Sequence, residues 1–129
     1  MGTKTAALVA GLYGAYQDRA WDRAAGYLHP DATVDMPATA ERLTGRDEVI
    51  AFQRDYPEPW GDLSVQRVVA DDDGAAAQVS IRAPGGHRFA MAAIWTVRDG
   101  LLDHGVEHWV TVGGEPPPPE RRAARRMSG

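Results

Sequence analysis

Apolar residues recur at helical spacing in the first half of the chain. A helix is predicted from Thr5 to Ala20, where one apolar stripe carries Leu8, Val9, Leu12, Tyr13 and Tyr16. A shorter helix is predicted from Asp22 to Leu28, because Pro30 disfavours helix in the residue before it. A third is predicted from about Arg46 to Asp55, with the Thr44 hydroxyl as a possible cap.

The pattern changes to period two in the second half. Strands are predicted over 32–36, 63–70, 75–83, 87–98 and 101–112. The last four are separated by turn sequences rich in Asp, Gly and Pro, which is typical of an antiparallel meander. The predicted class is α+β, a curved, cone-shaped antiparallel sheet with three N-terminal helices on its concave face.

Length and composition limit the organisation and the function. At 129 residues and 14.0 kDa, one domain is expected over residues 1–114. Residues 115–129, with a proline run and then arginines, are predicted to form a disordered tail. The sequence has no cysteine, which excludes disulfide scaffolds and thiolate chemistry.

Charge and hydropathy disfavour two classes of partner. The net charge is −4 and four arginines lie in the last nine residues, so the body is acidic and nucleic-acid binding is not expected. No apolar run reaches the roughly 20 residues that span a bilayer, so no membrane partner and a cytosolic location are expected. Abundant Ala, Gly and Arg with one Lys is typical of a GC-rich bacterial genome.

A metal site is not predicted. His104 and His108 lie four residues apart on a predicted strand, which separates them by roughly 13 Å, too far to chelate one ion. We therefore expect neither a metal nor another cofactor.

Three motifs carry a family resemblance over residues 5–112. They are Leu28-His29-Pro30-Asp31-Ala32-Thr33-Val34, Leu43-Thr44-Gly45-Arg46-Asp47-Glu48-Val49-Ile50-Ala51-Phe52, and Val97-Arg98-Asp99-Gly100-Leu101-Leu102 followed by Trp109. In this order they resemble the superfamily of nuclear transport factor two. Within it, ketosteroid isomerases, SnoaL-like polyketide cyclases and limonene-epoxide hydrolases are the most similar.

The resemblance implies a function. Those enzymes perform acid/base chemistry on a neutral carbon skeleton in an apolar cavity, without a cofactor. Cyclisation, isomerisation and epoxide opening all remain open as reactions, and the implied substrate is an apolar small molecule of the kind found in polyketide-type metabolism. The resemblance also implies a homodimer through the convex side of the sheet, where a second apolar face is expected to carry Val79, Ile81, Ile94, Val106 and Val110.

The resemblance also implies catalytic residues. Tyr16 falls where isomerases keep an oxyanion-hole tyrosine, but their two catalytic aspartates align with Met36 and Trp95. Isomerisation by that mechanism is therefore disfavoured. Glu107 falls where epoxide hydrolases carry a general acid or base, and Arg82 supplies at most the arginine of their arginine–aspartate pair.

Period two on the last strands predicts the cavity wall. If Trp109 faces the cavity, so do Glu107 and Asp103, and desolvation should raise the pKa of Glu107. We predict Glu107 and Tyr16 as catalytic residues. The predicted substrate-binding residues are Met36, Phe52, Trp60, Arg82, Phe89, Met91, Trp95, Asp103 and Trp109. The alternative function is a non-catalytic ligand carrier or accessory protein with the same cavity.

Overall fold

The computed structural model describes residues 2–123, which form three α-helices and a six-stranded sheet. The helices are α1 (Thr3–Gln17), α2 (Trp21–Ala25) and α3 (Arg46–Arg54). The strands are β1 (Leu28–Met36), β2 (Glu41–Thr44), β3 (Asp62–Ala70), β4 (Gly74–Arg82), β5 (Arg88–Arg98) and β6 (Leu101–Thr111). Short 3₁₀ turns occupy Pro37–Thr39, Pro84–Gly86 and Pro119–Arg121.

The sheet has the order β2-β1-β6-β5-β4-β3. Strands β3 to β6 form the predicted antiparallel meander. Two features go beyond the prediction of an antiparallel sheet: β1 runs parallel to β6, and the short strand β2 folds back on β1. The sheet is therefore mixed and open, and the α+β class is confirmed.

The helices cover one face of the sheet. Helix α1 packs against β3, β4 and β6, and α3 packs against β1. Strand β4 alternates strictly, so Val79 and Ile81 are each 1% exposed in the core between sheet and helices. The expectation that these two residues lie on a second, convex apolar face is therefore wrong. Of the exposed large apolar side chains, Val69, Ile94 and Val110 belong to the strands.

Two local predictions are wrong. The second helix ends at Ala25, and Leu28, expected in that helix, begins strand β1. Thr44 does not cap α3; the cap is Gly45, whose φ of 90° suits glycine, and the Thr44 backbone N–H donates to the Glu48 carboxylate.

The chain after the sheet is solvent-exposed up to residue 123. Residues 124–129, the last part of the predicted tail, lie outside the described residues. Among the helices of residues 2–123, none is long and apolar enough to cross a membrane.

Candidate functional site

A cavity of about 540 Å³ lies between the helices and the concave face of the sheet. Helix α1 and strand β6 supply its inner wall, and the loops before β3 and β5 supply its exposed rim. Aromatic rings dominate the lining: Tyr13, Tyr16, Phe52, Tyr56, Trp60, Phe89 and Trp109.

Glu107 is the buried carboxyl group of this cavity. It lies on β6, in the interior of the sheet opposite Ala93 of β5, and is 2% exposed. Burial raises the pKa of Glu107, whereas hydrogen bonding by Tyr13 and Trp109 opposes the rise. A carboxyl group with a raised pKa can gain and lose a proton near neutral pH.

Tyr13 connects Glu107 to the core. Its hydroxyl donates to Glu107 Oε2 at 2.8 Å and accepts from Trp95 Nε1 at 2.9 Å. Burial, and then the negative charge of Glu107, raise the pKa of Tyr13 well above its ordinary value. The phenol therefore stays a neutral donor that holds the carboxylate in place.

Trp95 lies behind Tyr13 and is 1% exposed. Its ring packs directly on Gly105 of β6, where an added Cβ would come within 2.6–2.7 Å of ring atoms. The missing side chain at position 105 is what lets the indole lie there. Together, Glu107, Tyr13 and Trp95 form a hydrogen-bonded chain that we call the deep end of the cavity.

Tyr16 lies one helical turn from Tyr13, and the two rings meet edge to face at 5.8 Å. Tyr16 is 2% exposed and lines the cavity. Burial and the charge of Glu107 raise the pKa of Tyr16 as well. Within residues 2–123 no side chain or backbone group hydrogen-bonds to its hydroxyl, and every polar side-chain atom that is closed off from solvent has a partner, so this hydroxyl opens onto the cavity and is available to a ligand.

The exposed rim differs from this deep end, and we call it the mouth. It includes Glu41, Glu58 and His87, together with the partly buried Trp60. The Arg19 guanidinium stacks on the Trp60 ring at 3.7 Å from its centroid.

Most of the predicted site residues line the cavity. They are Tyr16, Met36, Phe52, Trp60, Phe89, Glu107 and Trp109. Asp35, the neighbour of Met36, pairs with Arg42 instead of entering the cavity.

Four predicted residues lie elsewhere. Arg82 is exposed on the opposite face of β4 from Ile81, and Met91 is buried in the core. Trp95 contacts Tyr13 behind the lining. Asp103 forms an ion pair with Arg98, because a register shift between β5 and β6 breaks the alternation on which its placement was predicted.

Tyr13 is a deep-end residue that the sequence analysis does not single out. The pattern places it on the apolar stripe of α1 together with Tyr16, the predicted catalytic tyrosine. The spacing of three residues, which puts both rings on one helix face, was the available signal.

A metal centre finds no support in the side-chain positions. Within residues 2–123 no three His, Asp or Glu side chains converge as metal ligands would. His108 is exposed, and His104 contacts the Thr33 hydroxyl at 2.7 Å.

The SnoaL-like domain family matches residues 9–105. The chain belongs to the SnoaL-like domain family. No curated protein sequence matches the chain. The fold is shared by enzymes and by non-catalytic proteins.

Three solved structures illustrate the relationship. A candidate ketosteroid isomerase from Kribbella flavida DSM 17836 is 31% identical, with 99% of this chain and 93% of that chain covered and a TM-score of 0.86. A limonene-epoxide-hydrolase-like (LEH-like) epoxide hydrolase of M. tuberculosis is 18% identical, with 84% of each chain covered and a TM-score of 0.70.

The third is a protein with a ketosteroid isomerase-like fold from Catenulispora acidiphila DSM 44928, in complex with trimethylamine. It is 13% identical, with 78% of this chain and 82% of that chain covered and a TM-score of 0.67.

Proposed function

We propose that this SnoaL-like protein is a cofactor-independent acid/base enzyme that acts on a small, largely apolar metabolite in the cavity. The observation that carries the proposal is Glu107, a carboxyl group 2% exposed that lines an aromatic cavity of about 540 Å³. Cyclisation, isomerisation and epoxide opening, including steps on polyketide-type substrates, all use such a group to move a proton.

Glu107 and Tyr16 have separate roles in this proposal. In isomerisation or cyclisation the Glu107 carboxylate removes a proton from substrate carbon and returns it to another atom. In epoxide opening it takes the proton from the water that attacks the epoxide carbon, while the epoxide oxygen receives a proton as its C–O bond breaks. Negative charge develops on a substrate oxygen, which the free Tyr16 hydroxyl stabilises by donating to it. Tyr13 is a positioning residue, because it touches Glu107 and holds the carboxylate toward the cavity.

The ring opening of 5-nitrobenzisoxazole tests this proposal, because loss of one carbon-bound proton to a base releases a coloured phenolate. The wild type should accelerate this reaction, with a rate that rises with pH through the raised pKa of Glu107. Glu107→Gln keeps the side-chain size and should abolish both the acceleration and that limb of the pH profile.

The control is Asp35→Asn, which removes a carboxylate on the far side of β1 from Met36. It should leave the rate within about twofold of wild type. An unchanged rate in Glu107→Gln would contradict the proposed role of Glu107.

A non-catalytic carrier is the second candidate. The observation that favours it is the apolar identity of Met36 and Trp95, which occupy the positions aligned with the isomerase aspartates. A carrier would bind 5-nitrobenzisoxazole in the cavity, which tryptophan fluorescence would detect. It would not accelerate the ring opening, either as wild type or as Glu107→Gln.

We also propose a homodimer through the convex side of the sheet. Val69, Ile94 and Val110 are 58%, 52% and 58% exposed there. Exposed apolar side chains on a sheet face favour a partner surface. Sedimentation velocity at micromolar concentration should give a dimer, and Ile94→Lys should shift it to monomer.

A further inference from the structure

The charged side chains that line the cavity have one sign. Glu107 lies at the deep end, and Glu41 and Glu58 lie at the mouth. Within residues 2–123 neither Arg nor Lys lines the cavity, and His87 is the only lining residue that can become positive. A ligand in the cavity therefore meets carboxylates and aromatic rings.

Arg19, which contacts the lining residue Trp60, is already engaged. Arg19 stacks on Trp60, and its guanidinium donates to the carbonyl oxygens of Tyr16 at 3.0 Å and Gly61 at 2.8 Å. It is exposed and is not part of the lining. Nothing in the described chain supplies a positive partner to Glu107, whose bonded neighbours are neutral.

A buried carboxyl group with no cationic neighbour holds a proton more tightly, as the raised pKa of Glu107 reflects, and it becomes a stable carboxylate when a cation pairs with it. A ligand can supply the missing charge. The aromatic lining suits the same ligand, since the faces of Trp, Tyr and Phe attract organic cations. The Tyr16 side chain is 2% exposed, and its hydroxyl opens onto the cavity without a hydrogen bond from the described chain, so it can donate to a polar atom of the same ligand.

We propose that the cavity selects an organic ammonium compound, a positively charged amine with an apolar body, whose nitrogen lies beside Glu107. This inference rests on the proposed function, since it names the substrate class for the same cavity. The carboxylates at the mouth would favour entry of such a cation and disfavour anions.

Binding of a cation is coupled to the protonation of Glu107. The groups that face Glu107 are Tyr13 and Tyr16 from α1 and Trp109 from its own strand, all neutral near pH 7. The mouth adds Glu41, Glu58 and His87. A cation beside Glu107 lowers the pKa of that carboxyl, so its binding releases a proton wherever the free group is partly protonated.

Three probes with one skeleton separate charge from shape. They are 2-phenylethyltrimethylammonium, its neutral carbon isostere (3,3-dimethylbutyl)benzene, and the anion 3-phenylpropanoate. Binding is followed by tryptophan fluorescence. We expect the cation to bind at least about tenfold more tightly than the isostere, and the anion to bind most weakly.

Glu107→Gln tests whether the buried carboxylate causes the preference. The variant should bind the isostere within about twofold of wild type but lose most of its preference for the cation. Glu115→Gln, which removes an exposed charge off the lining, should keep that preference. Equal affinity for cation and isostere in wild type, tighter binding of the anion, or an undiminished preference in Glu107→Gln would each overturn the proposal.

A measurement on wild type avoids any question of variant folding. Calorimetric titration in two buffers of different ionisation enthalpy should show a proton released with the cation and none with the isostere. Absence of that difference at every pH across the titration of Glu107 would overturn the proposal.

The two proposals can fail separately. Selection of the cation without ring opening of 5-nitrobenzisoxazole supports the ligand class and contradicts the enzyme. Ring opening that depends on Glu107, with no preference for the cation, supports the enzyme and contradicts the ligand class.

Discussion

The deep end and the mouth of the cavity differ in how their polar groups are held. At the deep end Glu107, Tyr13 and Trp95 are each at most 2% exposed and are joined by hydrogen bonds of 2.8 and 2.9 Å. At the mouth Glu58 and His87 are exposed to solvent. Buried bonds resist reorganisation, whereas exposed charges are screened.

The difference fits two tasks of the proposed function. The deep end would fix one orientation of one carboxyl group for proton transfer. The mouth would meet entering molecules first, and its exposed side chains should tolerate change. Substitutions at the two ends should therefore have very different effects.

The largest difference in the free energy of unfolding between the deep end and the mouth is expected when their tryptophans are replaced. Trp95→Ala should lower the free energy of unfolding by about 3–5 kcal/mol, because it opens a cavity in the core and leaves Tyr13 without its donor. Trp60→Ala should lower it by less, about 1–2 kcal/mol, because Trp60 is only partly buried and its stacking partner Arg19 is exposed. Chemical denaturation of both variants measures this, and equal losses would contradict the comparison.

The next effect is expected for the two tyrosines. Tyr13→Phe removes a donor from Glu107 and an acceptor from Trp95, so it should lower the free energy of unfolding by about 1–3 kcal/mol. Tyr16→Phe should change it by less than about 0.5 kcal/mol, because its hydroxyl has no partner within residues 2–123.

In activity the order should be reversed, with Tyr16→Phe affecting the rate constant more than Tyr13→Phe does. Tyr16→Phe should lower the rate constant on a substrate with a developing oxyanion. Tyr13→Phe should move the pH limb upward, since the carboxylate loses a donor that lowers its pKa. A Tyr13→Phe profile that superimposes on wild type would show that Tyr13 does not act through Glu107.

A pH-dependent difference isolates Glu107. Because burial raises its pKa above the ordinary value of 4.5, the folded state holds this proton more tightly than the unfolded state. The contribution of Glu107 to stability should fall as the pH rises from that value through the raised pKa. Denaturation of wild type and Glu107→Gln at a series of pH values from 4.5 upward should show wild type losing stability relative to the variant as Glu107 ionises.

The smallest effect is expected at the mouth. Glu58→Gln should change the free energy of unfolding by less than about 0.5 kcal/mol, because the side chain is exposed. It should also weaken cation binding less than Glu107→Gln does. An equal loss in both variants would mean that the mouth, not the buried carboxylate, selects the ligand.

Sequence patterns predicted the parts of this molecule that have a clear period. Helices α1 and α3 and strands β3 to β6 fall close to their predicted ranges. The four-residue strand β2 was missed, because it forms only when the chain folds back on β1. The parallel pairing of β1 with β6 joins segments that are far apart in the sequence, so no local sequence pattern predicts it.

The site was predictable only where alternation was unbroken. Trp109 and Glu107 share a face, and both line the cavity. Toward the start of β6 the register shift places Asp103 in an ion pair with Arg98. No residue type in the sequence indicates this shift. Periodicity placed Tyr13 and Tyr16 on one face of α1 but could not say which hydroxyl reaches Glu107.

The contact of Gly105 with Trp95 restricts how this protein can change over evolutionary time. Any side chain at position 105 would overlap the indole, so a change there can be accepted only after Trp95 has become smaller. Loss of the indole in turn removes the donor to Tyr13. Substitutions around the buried Glu107 carboxyl are therefore epistatic, and the order in which they occur decides which of them are tolerated.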